Sequence, residues 1–519
     1  MTRNVLFIMC DQLRADHLAC YGHPYLRTPN IDLLASRGNR FSNAFVQSGV
    51  CGPSRMSFYT GRYVSSHGAS WNCVPLSIGE MTLGAHLAES GRRLALCGKS
   101  HFTADQAAMK RLAIDGDSEL GVLLREGHFT LVDRYDGHRA EPVGSYAQYL
   151  RGRGYDSEDP WSDFVISAED ENGQVVNGWH MRHARLPARV AEADSETAYT
   201  TRQAIDFIER HRDAPWVLHL SYVKPHWPYI APAPYHDRYS PEQCLPVVRR
   251  PDERDGAHPV TAAYRQHEES RNFARDEVIR TVRPAYQGLI EQIDDHLGEL
   301  WEALDRVDGW RDTLIVFTSD HGDFLGDHWL GEKELFYDTV QRVPFIVYDP
   351  SPEADATRGQ VRDELVEAID TVPTILDALE LPPVRERIEG RSLLTLTRQR
   401  GVHEPWRDAV FSELDYAFRE ARLLLGRAPD ACRGWMVRTS QWKYLHWQGF
   451  APQLYDLAND PQEFHDLAGE ASMAGVIDDM RARLLQWFCE RHTRTTISDA
   501  AVAADTHRDR QAGVYYGLW

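Results

Sequence analysis

The run Cys51-Gly52-Pro53-Ser54-Arg55 places a nucleophilic sulfur, a small glycine and a cation within about one helical turn. Pro53 suits the first turn of a short helix continuing through Met56 to Arg62, and Gly52 permits close backbone approach. A helix N-terminus presents free N–H groups and the positive end of its dipole to an anion. Arg55 follows about one turn on, directed at the same spot. A lone cysteine beside a helix start is more often a buried structural thiol, so the run needs partners elsewhere. Four places supply them in a common setting. Asp11-Gln12, Lys99-Ser100-His101, Lys224-Pro225-His226 and Asp320-His321-Gly322 each follow directly on an apolar run. Taken one at a time, such residues are ordinary caps or surface groups, and the chain has 23 histidines.

The elements that must position them are legible in those apolar runs. Val5 to Cys10, Leu94 to Gly98, Trp216 to Val223 and Thr313 to Ser319 are nearly continuous in apolar and β-branched residues. That pattern predicts strands buried on both faces, as in a parallel sheet. Helical patterns lie between them, at Ala204 to Arg212 and at Tyr286 to Val307 with Leu289, Ile293, Leu297, Leu300 and Leu304 on one face. Strand alternating with helix means α/β layering, in which ligands bind beyond the carboxyl ends of the strands. All four runs end in polar, ionisable residues at that end, a convergence that packing does not explain.

Residues from about 116 to 193 are charged, Gly-rich and weakly periodic, and are expected to form an insertion near the rim of the site, as a specificity loop, a lid or a surface excursion. A catalytic domain is expected over residues 1–400. Over 401–519 the pattern changes to short alternating runs, Trp435 to Thr439 and Trp442 to Trp447, then a helix from about Met473 to Arg491. This predicts a small antiparallel sheet with one covering helix. The chain closes on Val514-Tyr515-Tyr516-Gly517-Leu518-Trp519. Such an apolar end is expected to dock, on its own domain or on a second copy in a homo-oligomer.

Lys and Arg total 57 against 77 Asp and Glu, a net charge of -20. Repulsion then disfavours nucleic acid and anionic membrane as partners, but not a small anion held in a locally cationic cleft. The apolar start, Val5 to Cys10, is too short for a signal core and ends in Asp11, and no stretch has the uncharged length of a membrane span. The eight cysteines show no CxxC pair. A cytoplasmic protein without disulfides is expected.

Read together, the strings resemble the sulfatase family. Asn4 to Gln12, Thr28-Pro29-Asn30-Ile31-Asp32, Cys51-Gly52-Pro53-Ser54-Arg55 with Thr60-Gly61-Arg62, Gly98 to His101, Lys224 to Pro228 and Thr318 to Asp323 are similar to successive family motifs and occur in family order. The resemblance implies an alkaline-phosphatase-like α/β fold, a mostly parallel sheet between helices with a smaller C-terminal antiparallel α+β subdomain. It implies hydrolysis of sulfate or related esters of small anionic substrates. It also implies oxidation of Cys51 to formylglycine by a separate maturation enzyme, and one divalent metal held by Asp11, Gln12, Asp320 and His321 together with residue 51. Lys99 and Lys333 would then hold substrate oxygens, His101 would activate or collapse the hydrate, and His226 would protonate the leaving oxygen. Asn72 lies where some relatives place a substrate-contacting residue.

Two positions depart from the arylsulfatase pattern. Many arylsulfatases carry Asp-Asp and Asp-Asn at the metal positions, where this chain has Asp11-Gln12 and Asp320-His321. That combination is more similar to phosphonate monoester hydrolases, phosphodiesterases and choline sulfatases. Gln removes a charge from the metal shell and His adds a nitrogen; both shift preference somewhat from calcium toward manganese, with calcium still the expected metal and manganese the alternative. Gly98-Lys99-Ser100-His101 is in turn sulfatase-like. The expected activity is arylsulfatase-type, with phosphonate monoesters or phosphodiesters second, and a choline-type substrate or a non-catalytic metal-binding relative behind them.

Overall fold

The structure is a computed structural model, and it describes residues 2–137, 141–398 and 405–519. Its strands in chain order are β1 (Asn4–Asp11), β2 (Asn39–Phe45), β3 (Leu94–Gly98), β4 (Phe129–Arg134), β5 (Ser167–Glu169), β6 (Val175–Asn177), β7 (Val217–Pro225), β8 (Thr313–Ser319), β9 (Phe345–Tyr348), β10 (Val361–Glu367), β11 (Val410–Asp415), β12 (Arg433–Arg438), β13 (Trp442–Trp447) and β14 (Gln453–Asp456). Eight of them form one sheet in the order β10-β2-β9-β8-β1-β7-β3-β4, in which only β9 pairs antiparallel with its neighbours. The four apolar runs are its centre, β8-β1-β7-β3, all parallel. Every residue of β1, β3, β7 and β8 is buried, because helices cover both faces.

One face carries the long helix Asp276–Arg306 and the helix Glu196–Arg210, whose apolar stripes pack with Leu6, Ile8, Leu218 and Ile315. The other face packs Val5, Phe7, Leu314 and Val316 against the helices Cys51–Thr60 and Thr371–Ala378. Register then fixes the site. Cys10 pairs with Ser319 and Asp11 with Pro225, while Gly98 lies beside Ser221. The chain leaves all four strands at one edge. Gly98 must be glycine there: its φ is +97°, and a Cβ would run into the Ser221 carbonyl oxygen.

Residues 116–193 are not one excursion from the domain. Phe129–Arg134 is the edge strand β4, parallel to β3. It is only partly buried, with Leu131 exposed, because it lies at the sheet edge, and its short mixed sequence kept it from reading as a core strand. Within residues 146–190, Tyr146, Trp161 and Val190 belong to an apolar cluster that also takes in Val223 of β7.

Beyond the large sheet, β11-β12-β13-β14 form an antiparallel sheet covered by the helix Ala474–Cys489, through Ile477, Met480, Leu484 and Trp487. The expected domain boundary near residue 400 falls outside the described residues. The C-terminal arm does not dock on its own domain: Tyr516 is 80% and Leu518 67% exposed. All eight cysteines are free, and among the described residues no helix is long and apolar enough to cross a membrane.

Candidate active site

Cys51 opens the helix Cys51–Thr60, after an extended Val50, and its ten residues are all buried. Asn72 sits at this helix start, where its Oδ1 accepts the Gly52 N–H at 2.7 Å. A side chain at 52 would collide with Asn72, so Gly52 is required by close approach. Ser54 Oγ donates to the Asp320 carbonyl at 2.5 Å and ties the helix to the end of β8. The sulfur is thereby aimed at the strand ends. Cys51 Sγ lies 3.1 Å from His321 Nε2, 3.2 Å from Lys333 Nζ and 3.8 Å from Asp11 Oδ1.

Asp11, Cys51, Asp320 and His321 form a buried group whose potential ligand atoms all lie within 4.8 Å of one another. His321 Nδ1 donates to the Gly322 carbonyl at 2.9 Å, which leaves Nε2 as a lone pair facing the group. Burial lowers the His321 pKa, keeping the ring in the neutral form that can ligate. Gln12 adds its amide oxygen through a left-handed backbone, φ 67°. Which way that amide points is decided by Asp323. Gln12 Nε2 donates to Asp323 Oδ2 at 2.6 Å, so Oε1 turns to the site, where Lys333 Nζ meets it at 3.1 Å. Tyr229 donates to the same carboxylate oxygen at 2.5 Å and the Leu325 N–H to the other at 2.9 Å. Two carboxylates, an imidazole nitrogen and an amide oxygen are a donor set that fits a divalent cation.

The cations divide by task. Arg55 lies wholly inside the protein: Nε donates to Asp320 Oδ2 at 2.8 Å, and its terminal nitrogen to the Lys99 carbonyl at 3.0 Å and Ser221 Oγ at 2.9 Å. It orients a carboxylate and a neighbouring loop rather than open space. Lys99 Nζ pairs with Asp11 Oδ2. Burial acts to raise the Asp11 pKa, but Lys99, His226, Arg55 and Lys333 outweigh it and hold the carboxyl well below the usual range. Lys333 Nζ joins Gln12, Cys51 and His226 Nε2, the last at 3.1 Å. His226 Nδ1 faces the Trp227 carbonyl at 2.7 Å and must carry its proton there, so Nε2 is the atom turned to the site. His101, half-buried with φ 52°, is held through its backbone N–H by Asp136 Oδ1 at 2.9 Å.

The structure thus joins nine of the expected residues in one contact network: Asp11, Gln12, Cys51, Arg55, Lys99, His226, Asp320, His321 and Lys333. Asn72 reaches it through Gly52, and His101 stands on the loop that carries Lys99. Asp323, Asp136 and Ser221 were not singled out from the sequence, though Asp323 belongs to one of the quoted strings. Arg419 also escaped it. Its guanidinium lies in ion pairs with Glu334, at 3.0 Å, and with Glu269 and Glu332, bracketing Lys333 from the small domain.

A family model described as Sulfatase matches residues 3–381. The chain belongs to the sulfatase family. A second model, the C-terminal part of N-sulphoglucosamine sulphohydrolase, matches residues 326–489. Among curated relatives, the multifunctional alkaline phosphatase superfamily protein PehA of Trinickia caryophylli is 33% identical over 95% of this chain and 97% of its own. An arylsulfatase of Clostridium perfringens is 26% identical over 94% of each chain. Among solved structures, the phosphonate monoester hydrolase of Silicibacter pomeroyi superposes with a TM-score of 0.84 at 27% identity, covering 96% of this chain and 98% of its own. The sulfatase thus has the alkaline-phosphatase-like fold expected from its motifs.

The Asp323 carboxylate accepts three donors, and an amide in its place cannot. Asp323→Asn should therefore release Gln12 and weaken divalent-metal binding about ten- to a hundredfold, read by chelator competition. Unchanged affinity would show that Gln12 orientation does not matter to the metal.

Proposed function

We propose that the chain hydrolyses sulfate monoesters, arylsulfatase fashion, with residue 51 as the nucleophile after a separate maturation enzyme has converted Cys51 to formylglycine. The observation that carries this reading is the setting of Cys51 Sγ, which stands where the attacking oxygen would stand, within 3.2 Å of both His321 Nε2 and Lys333 Nζ. As a thiol the residue is poorly suited to the task. Burial, with Asp11 alongside, pushes its pKa up to about 11, so little thiolate is present near neutrality. As formylglycine hydrate it supplies two geminal hydroxyls, one to attack sulfur and one to expel sulfate afterwards. A divalent cation on Asp11, Gln12, Asp320 and His321, calcium first and manganese second, would make the attacking hydroxyl acidic.

The remaining work falls to this chain's own side chains. Lys99 and Lys333 hold the non-bridging oxygens, and Arg55 keeps Asp320 in place. With Nδ1–H held by the Trp227 carbonyl, His226 in its imidazolium form gives the Nε2 proton to the leaving oxygen and ends as the neutral Nδ1–H tautomer, and Lys333 beside that nitrogen favours the transfer. His101 takes the proton of the second hydroxyl as sulfate departs, restoring the aldehyde for rehydration. Asn72 lies at the substrate edge, its amide oxygen already engaged by Gly52.

Sulfate monoesters, phosphonate monoesters and phosphodiesters are all tetrahedral monoanions, so charge alone does not separate them. Their third substituent does. A sulfate ester presents three non-bridging oxygens, and two ammonium groups plus a metal offer one cationic partner for each. A phosphonate or diester puts carbon or an ester oxygen where one of those partners expects charge. The likeness to PehA and to a phosphonate monoester hydrolase makes phosphonate monoesters and phosphodiesters the second reading, with a choline-type sulfate behind them. A non-catalytic relative would lack one of these groups, and all are present. We also assign the enzyme to the cytoplasm, in keeping with its free cysteines, and the exposed Tyr515–Trp519 arm to contacts with a second copy.

Purified, metal-loaded enzyme should turn over an aryl sulfate with a higher kcat/KM than the matching phosphonate monoester, phosphodiester or choline sulfate. A phosphonate preference of orders of magnitude would overturn the sulfate reading. His226→Ala should slow esters of poorly acidic alcohols at least about tenfold more than esters of acidic phenols, which need little protonation. Equal losses across the leaving-group series would remove His226 from that role.

A further inference from the structure

Beside the site lies a cavity of about 800 Å³ that the catalytic residues do not use. One wall is Trp227, the residue after His226, with the two rings 6.4 Å apart. The facing wall is the short helix Glu268–Phe273, which contributes Glu268, Glu269 and Asn272. That helix rests on the loop leading to Lys333: the Gly331 N–H donates to Ser270 Oγ at 3.2 Å, and a Cβ on Gly331 would come within 2.7 Å of the Glu269 carbonyl. His226 and Lys333 themselves touch at 3.1 Å. The cavity is therefore flanked by the neighbours of the proton donor and of the oxygen-binding lysine, which puts it on the side from which the leaving group departs.

Its chemistry is aromatic. Trp179, from the segment between β6 and β7, meets Trp227 edge to face at 5.8 Å. Both indoles are only half-buried, so each keeps apolar surface open to the cavity. Trp179 is braced from behind by Trp161, 6.4 Å away, whose Nε1 donates to the buried Glu196 carboxylate at 2.9 Å. Trp227 stacks on Tyr229 at 6.4 Å and 28°. A braced pair of indoles suits a flat ring, in the offset or edge-on contacts that aromatic groups prefer. Of the three lining carboxylates, only Glu268 has no ion-pair partner among the described residues, which is weak recruitment for a cation. Glu269 is paired with Arg419 and Glu277 with Arg275, and two indoles fall short of the aromatic box that encloses a quaternary ammonium.

We propose that Trp179 and Trp227 form a leaving-group subsite that receives the aromatic ring of the ester, with Trp179 as a specificity-determining residue contributed from outside the strand ends that carry the acid site. The proposal rests on the reading of the chain as an ester hydrolase with His226 at the leaving oxygen, and it is independent of whether the acid is sulfuric or phosphonic. A ring seated here lies next to the protonating imidazole, and binding energy gathered on the ring orients the scissile bond. The acid half of the substrate stays with the two lysines.

The test compares phenyl and trifluoroethyl esters of both acids on metal-loaded wild type, Trp179→Ala and Trp179→Phe. Intrinsic reactivity cancels when the phenyl-to-trifluoroethyl ratio of kcat/KM is compared between variants. In whichever acid is hydrolysed, that ratio should fall about tenfold in Trp179→Ala, chiefly through KM, and return in Trp179→Phe. An unchanged ratio, including an equal loss on both esters, would overturn the subsite. Choline sulfate hydrolysis that is lost in Trp179→Ala while the ratio holds would replace the aromatic occupant with a cationic one. Failure of the sulfate reading shows separately, as a sulfate-to-phosphonate ratio below one in the wild type.

Discussion

Asp11 and Asp320 are carboxylates with no exposed surface, set side by side at the ends of neighbouring strands. Two like charges out of water would not persist without compensation, and the surrounding structure supplies it. Arg55 reaches Asp320 from the helix that carries Cys51, Lys99 reaches Asp11 from the end of β3, and Lys333 adds a third cation from a loop, against Gln12 and Cys51. In ordinary charge states these five side chains carry one more cation than anion. A divalent metal would raise that excess further. A chain with a net charge of -20 thereby contains a pocket whose preferred visitor is a small anion.

The same constraint explains why the nucleophile's helix is buried end to end. Its Arg55 satisfies Asp320, the Lys99 carbonyl and Ser221 at once, so it joins β8, β3 and β7 through a single guanidinium. Fixing those strand ends fixes the distance from Cys51 to the metal group. Left-handed backbone at Gln12, His101, Glu332 and Glu334 is concentrated at this edge, where side chains must be turned against the ordinary course of the chain.

Much of this was legible in the sequence, for identifiable reasons. The central strands are buried on both faces, so they read as unbroken apolar runs, and the polar residues just beyond them mark the crevice. The helix Asp276–Arg306 kept its 3.6-residue periodicity, and β12 and β13 their alternation. β4 escapes the sequence because an edge strand is short, partly exposed and set within a charged segment. Lys333 has no periodic element around it and was reached through family resemblance alone. Asp323, Asp136 and Arg419 act by orienting other groups across long sequence separations. Nothing local distinguishes such residues from the many other acidic and basic side chains.

The division of labour that emerges is between a net-cationic acid site built from strand ends and an aromatic wall that includes Trp179, from the segment before β7. The first sets the class of chemistry, and the second is proposed to select the alcohol. All of it presumes that residue 51 presents oxygen, not sulfur, to the metal group. Mass spectrometry of the peptide carrying residue 51, from active enzyme made in its native host, tests that directly. Formylglycine at position 51, in proportion to specific activity, is the predicted result; fully active enzyme carrying an intact Cys51 thiol would contradict it.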